Sequence, residues 1–187
     1  MARLREFDDK KALATVRDLF WKQGFEGTSY ADLSNATGLG RGSLYAAFGD
    51  KHALYRMALS LYIDEEVQGA VDVLEDTSHS GAKAIEAYLN LVVDAADVRG
   101  DRRGCFLCNA AIDMAADDEN TGAMVRDAMN AMRDALLSAL EETDVPDRAG
   151  SAEHLLSVYA GMRTMARCGL EITQLTRARD AALSALG

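Results

Sequence analysis

The chain has a single proline and only 6% aromatic residues in 187. Sandwiches and barrels depend on turn prolines and on aromatic strand positions, so neither is expected. No apolar run approaches the ~18 residues that a membrane span requires. The opening Met-Ala-Arg-Leu-Arg-Glu-Phe-Asp-Asp holds no apolar core of a cleavable leader. Cysteine is scarce and odd in number, three in all, which fits a reducing compartment better than a disulfide framework. A soluble, cytoplasmic protein is the expectation.

Catalytic signatures are missing as well. There is no G-x-S-x-G, H-E-x-x-H, P-loop or triad spacing, so no catalytic residue and no cofactor is assigned. Gly38-Leu39-Gly40-Arg41-Gly42 imitates a dinucleotide fingerprint, but its third glycine comes one residue early and no strand precedes it. Asp117-Asp118-Glu119-Asn120-Thr121-Gly122 imitates a calcium loop, yet its twelfth position is Ala128 instead of Glu. A zinc site on Cys105 and Cys108 would need two more ligands, and Cys168, His52, His79 and His154 lie far apart in the chain. No metal is assigned.

What remains is 49% apolar, with apolar residues recurring at helical spacing. Leu13, Val16, Leu19 and Phe20 stripe a first helix ending near Gly24; Ile85, Leu89, Val92 and Ala96 stripe a later one. The predicted fold is all-α with nine helices. A short-helix unit at residues 1–50 precedes a long-helix unit at 51–187, and a fourth helix, capped by Asp50 and running to about Leu74, connects them. A helix over Cys105–Ala116, one opened by Ser151, and a last one over Thr173–Leu186 are also predicted. Charge divides about ten residues further on, within the connecting helix. Residues 1–60 hold nine bases against seven acids, a net of +2, while the rest holds eleven against twenty-three, a net of −12. A mildly basic head on an acidic body points to a polyanion-binding end and confines the contact to the head.

Residues 28–51 concentrate the signal. Ser29-Tyr30-Ala31-Asp32 has the form of a capping box, opening a helix that stops at Gly38. With Gly40 as a weak cap, the next helix reads Arg41-Gly42-Ser43-Leu44-Tyr45-Ala46-Ala47-Phe48. Two short helices around a glycine turn match a helix-turn-helix. Leu44 and Phe48 are four apart and face inward, leaving Arg41, Gly42, Ser43, Tyr45, Ala46 and Ala47 outward. A helical glycine costs about 1 kcal/mol against alanine, which close approach to a DNA backbone would offset. Lys51 opens the fourth helix, where the macrodipole disfavours a cation unless a phosphate is held there.

Gly24 to Leu33, Ala36 to Lys51, and Leu54 together resemble the DNA-binding domain of TetR-type transcriptional regulators, densely over about residues 10–57. The resemblance implies an all-helical homodimer, mostly of repressor type, on a pseudo-palindromic double-stranded DNA operator. It implies Thr28, Ser29, Tyr45 and Lys51 at phosphates and Arg41, Gly42, Ser43 and Ala46 at base edges. It also implies a body that binds a small-molecule effector. Gly40 stands where many members have Ser or Thr, and Ala47 where many have His.

In the body, Cys105 and Cys108 lie on one face at the start of a helix, after Arg102 and Arg103, a setting that favours thiolate. Arg103 to Ala110 resembles a Gly-Cys segment of one branch of the same family, whose regulators answer to electrophiles, oxidants or copper. A redox-sensing pair is one reading. Cysteine as a small buried hydrophobe is the other, stronger for Cys108 and Cys168 within helices. Tyr88, Phe106, Asn109, Met124, Tyr159 and Met162 are effector-pocket candidates on central helices. Small residues in the last two helices, Ala160, Gly161, Ala178, Ala181, Ala182 and Ala185, suit pairing into a four-helix bundle with a second copy. Two other functions fit parts of the pattern: a helical thiol oxidoreductase using Cys105 and Cys108, and a non-specific architectural DNA binder.

Overall fold

The computed structural model describes residues 2–186, with side chains from residue 9 onward. Arg3 and Arg5, counted into the basic head, lie outside the described side chains. The chain forms α1 (Ala2–Gln23), α2 (Tyr30–Thr37), α3 (Arg41–Phe48), α4 (Lys51–Tyr62), α5 (Gln68–Leu74), α6 (Gly81–Asp97), α7 (Phe106–Asp113), α8 (Glu119–Leu140), α9 (Arg148–Arg167) and α10 (Ile172–Ser184). A π turn, Ile63–Val67, joins α4 and α5 into one rod, so the described residues form nine rods and no strand.

Local chemistry sets the boundaries. Ser29 accepts the Asp32 amide while the Asp32 carboxylate accepts the Ser29 amide, closing the capping box. Gly38 ends α2 in the left-handed region at φ 73°, a conformation glycine adopts without a Cβ penalty. Asp50 caps α4 by accepting the Ala53 amide at 2.8 Å. Two expected boundaries move. Asp147, not Ser151, caps α9, accepting the Gly150 amide at 2.9 Å, so that helix starts at Arg148. The helix expected from Cys105 to Ala116 contracts to α7, because Cys105 is its extended N-cap and Met114 ends it.

Packing runs across the head–body division. α1 lies antiparallel to α4, bringing Phe20 to within 5.0 Å of Tyr55 and Trp21 to within 4.8 Å of Tyr62, ring to ring. Phe106 of α7 meets both tyrosines edge-on, at 5.4 and 5.6 Å. One buried cluster therefore runs from Val16 and Phe20 through Tyr55 and Tyr62 to Phe106 and Leu89. α4 belongs to both units, and Arg56 on it reaches Asp118 before α8 at 2.8 Å. The π turn splits its acids, with Glu65 against Arg17 and Glu66 toward Arg163.

Close packing at the opposite end gives a stability test. A Cβ at Gly81 would sit 1.8 Å from the Ala139 carbonyl oxygen, whereas at Gly69 nothing lies within 4 Å. Gly81→Ala is expected to cost roughly 1–3 kcal/mol, lowering Tm by several degrees. Gly69→Ala is expected to be neutral or to gain up to about 1 kcal/mol. Urea unfolding of both checks the pair; equal losses would contradict this packing.

Candidate nucleic-acid interface

The outer face of α3 is built by subtraction. Leu44 and Phe48 are buried, at 1% and 7% exposure, and the other six residues, Arg41, Gly42, Ser43, Tyr45, Ala46 and Ala47, are all exposed. Nothing lies within 4 Å of a Cβ built at Gly42. Packing within the chain therefore does not ask for glycine there, although the residue costs helix stability. The slim outer surface matches what a helix entering a major groove requires.

Three neighbours fix the electrostatics of this face. Tyr30 and Tyr45 stack at 5.1 Å, and the Arg41 guanidinium lies 4.6 Å above the Tyr30 ring. This holds the arginine extended on the surface by cation–π attraction. The Tyr45 hydroxyl is pulled below its usual pKa, first by its hydrogen bond with Tyr30 and then by Arg41. Tyr30 is a member of this face that sequence reading missed. Its spacing from Ser29 was legible as part of the cap, but its stacking partner lies on the next helix.

Ser29 is exposed at the start of α2, but its hydroxyl donates to the Asp32 carboxylate at 2.6 Å and accepts the Asp32 amide. What this end offers a phosphate is therefore first-turn amides without a partner in the helix. Lys51, opening α4, is half-buried with its ammonium 4.2 Å over the Phe25 ring. That cation–π contact offsets the unfavourable macrodipole. Thr28 requires a correction. It is fully buried and its hydroxyl donates to the Gly24 carbonyl at 2.8 Å, so its side chain seals the turn after α1 and is not free for a phosphate.

A second polar cluster lies in the body. Cys105 is buried, Cys108 half-buried and Cys168 exposed at the end of α9, so Cys168 is not the interior residue expected. The Cys105 thiol is pulled down to about 6. The main cause is the hydrogen bond from the Cys108 thiol, opposed by burial and aided by the Cys108 amide, Arg163 and the Tyr62 hydroxyl. Cys108 is pushed well up in return. The Tyr62 hydroxyl lies 3.7 Å from the Cys105 sulfur. Arg163 is 4% exposed, donates to the Tyr159 hydroxyl at 3.0 and 3.2 Å, and lies 3.7 Å from Glu66.

The cation beside the thiol is thus Arg163, not the expected Arg102 and Arg103. Arg102 donates to the Leu170 carbonyl, and Arg103 binds Asp101 and Asp18. The available signal was a base inside the apolar stripe Tyr159, Met162 and Ala166.

Among the described residues, the six effector-pocket candidates have different surroundings. Tyr88 stacks on Tyr159 at 4.5 Å, Phe106 and Met162 are buried core, and Met124 borders a 420 Å³ groove with Ile63 and Val67. Asn109 instead donates to the Trp21 carbonyl at 3.2 Å. Trp21 is also missed by the sequence: its indole N–H donates to the Gly104 carbonyl at 3.1 Å, and Arg103 lies 3.7 Å over its ring.

Fold and face together define a helix-turn-helix DNA-binding regulator. A profile described as bacterial regulatory proteins, tetR family, matches residues 12–58. The HTH-type transcriptional repressor ComR of Escherichia coli is 29% identical over 181 residues, covering 92% of this chain and 86% of ComR. The repressor BdcR of the same organism is 27% identical with the same coverage. A cysteine-substituted TetR family regulator, CifR, complexed with 26-base-pair double-strand operator DNA, superposes with a TM-score of 0.81. It shares 26% identity, over 94% of this chain and 95% of that one. Residues 12–58 thus match the DNA-binding domain of TetR-family regulators, and the chain as a whole is similar in sequence and fold to regulators of that family. Among the described residues no helix is long and apolar enough to cross a membrane.

The thiol pair yields a pH dependence. Thiolate ultraviolet absorbance is expected to appear with a midpoint near pH 6 and to vanish from that range in Cys105→Ser. Because the folded value is depressed, the stability this thiolate adds is fully present above the unfolded value of ~8.5 and is lost as pH falls toward the folded one. Titration confined to the ordinary thiol range would contradict the cluster.

Proposed function

We propose that the chain acts in the cytoplasm as a dimeric transcriptional repressor whose α3 enters the major groove of a pseudo-palindromic operator. Arg41, Gly42, Ser43 and Ala46 meet base edges, while Ser29, Tyr45 and Lys51 hold phosphates; residues 1–50 form the head and 51–187 the effector and dimer unit. Two such heads address half-sites roughly 34–36 Å apart. The repressor names of ComR and BdcR, and the operator DNA bound by CifR, support this reading.

Pairing of two copies uses the outward small residues of α9 and α10. Gly161, Ala181 and Ala185 are exposed, whereas Tyr159, Met162 and Ala182 are committed to the chain's own core. DNA is released by a small molecule or by modification of Cys105, which removes a thiolate from beside Arg163. The repressor names of the similar proteins ComR and BdcR favour a regulator over a thiol oxidoreductase.

The observation that carries the proposal is Gly42 standing in open space on an exposed helix. Gly42→Ala is therefore expected to gain up to about 1 kcal/mol against urea while losing at least about tenfold, or ~1.4 kcal/mol, in operator affinity. Binding is measured on fragments of the gene's own upstream region against random DNA. Unchanged affinity would overturn the placement of α3, and equal affinity for both DNAs would make the protein an architectural binder.

A further inference from the structure

A concavity of this acidic protein lined mostly by cations lies away from the helix-turn-helix. Lys22 from the last turn of α1, Arg99, Arg102 and Arg103 from the loop before α7, and Arg167 from the last turn of α9 line a recess of about 660 Å³. Asp101 is its one acidic lining residue. The surrounding body, residues 61–187, carries eleven bases and twenty-three acids, so gathering four of those bases here, beside Lys22 of α1, runs against the composition.

Partners of these cations divide into two kinds. Arg103 is neutralised, with Asp101 and Asp18 each at 2.8 Å. Arg102 and Arg167 are held by carbonyls instead. Arg102 donates to Leu170 at 2.8 Å, and Arg167 to Arg103 at 2.7 Å, Trp21 at 3.2 Å and Lys22 at 3.3 Å. Carbonyl bonds satisfy donors and fix the guanidinium planes, but they leave the charge in place. Capping of the α1 and α9 ends accounts for these two residues. It does not account for Arg99, which is exposed and borders the neighbouring recess of Glu65 and Glu66 without forming an ion pair within 4 Å, nor for the Lys22 ammonium, which likewise has no such pair among the described residues.

We infer that this recess binds a small, multiply charged phosphate-bearing anion, seated between Arg99, Arg102, Arg167 and Lys22. The volume lies within the range of small-molecule sites, and planar guanidinium groups match phosphate oxygens in pairs. Bound there, the anion cancels repulsion among cations drawn from α1, the loop and α9, and ties the end of α1 to the body. This goes beyond the repressor reading and does not require it.

Tripolyphosphate is the probe, titrated into the full-length dimer in low-chloride buffer by calorimetry and thermal shift. At a hundredfold excess over its Kd it is expected to raise Tm by roughly 5–10 °C. Lys22→Glu with Arg99→Glu removes the effect, while Arg41→Ala, on the DNA-facing surface, retains it. Circular dichroism of the double variant verifies its fold, and Arg99→Ala alone, expected to weaken binding about tenfold, serves if the pair is damaged. No heat and no shift at millimolar probe would overturn the site. So would loss of the effect in Arg41→Ala, which would place the anion on α3. A decrease of about two in the salt slope of operator binding for the double variant would assign the recess to the DNA backbone and equally overturn the proposal.

Discussion

The last turn of α1 ends against the body, and the rest of the structure takes its geometry from that contact. Helix C-termini leave carbonyls without intrahelical partners. Here those of Trp21 and Lys22 are taken by Asn109 and Arg167 from α7 and α9. The Trp21 indole in turn donates to the Gly104 carbonyl, one residue before Cys105, while its ring lies edge-on to Tyr62 and under Arg103. A single buried side chain thus touches the loop carrying the thiol, the connecting helix and the helix that sets the head. Displacing the Gly104 carbonyl leaves a buried donor unpaired, at a cost of about 1–3 kcal/mol, comparable to the 1–3 kcal/mol typical of coupling between sites.

The thiol cluster sits on the other side of the same junction. Cys105 is held by Cys108 and Tyr62, and Arg163 supplies the nearby positive charge. Phe106, the next residue, wedges between Tyr55 and Tyr62 on the rod whose first turn carries Lys51. In the proposed switch, modification of Cys105 would act on its two chain neighbours, Gly104 and Phe106, together. Both contacts lead to α1 and α4, the helices that support α2 and α3.

The local parts of this arrangement were legible in the sequence and the distant ones were not. The capping box at Ser29 and Asp32, the turn at Gly38, the Asp50 cap and the division of α3 into buried Leu44 and Phe48 against six exposed neighbours all follow from short-range rules. Cap competition misled at α9, where Asp147 and Ser151 both qualify and the structure uses the earlier one. Thr28 was placed at a phosphate by its motif position in the resemblance, and motif position does not tell a hydroxyl that faces solvent from one bonded to its own turn. Trp21 and Tyr30 work through partners on other helices, as Arg163 does toward Glu66, which no spacing rule connects; the i, i+4 spacing of Tyr159 and Arg163 and a lone arginine in an apolar stripe were the available hints. The pocket candidates were chosen by helix position, and helix position does not tell core from cavity.

Trp21 is the chain's only tryptophan, so its emission reports the junction without a label. The decisive measurement follows Trp21 fluorescence and release of bound upstream DNA in the same stopped-flow mixture as a thiol reagent modifies Cys105. The account predicts that emission shifts and DNA leaves with one shared half-time, and that neither occurs in Cys105→Ser. DNA release without any change at Trp21, or an emission change that leaves the complex intact, would contradict it.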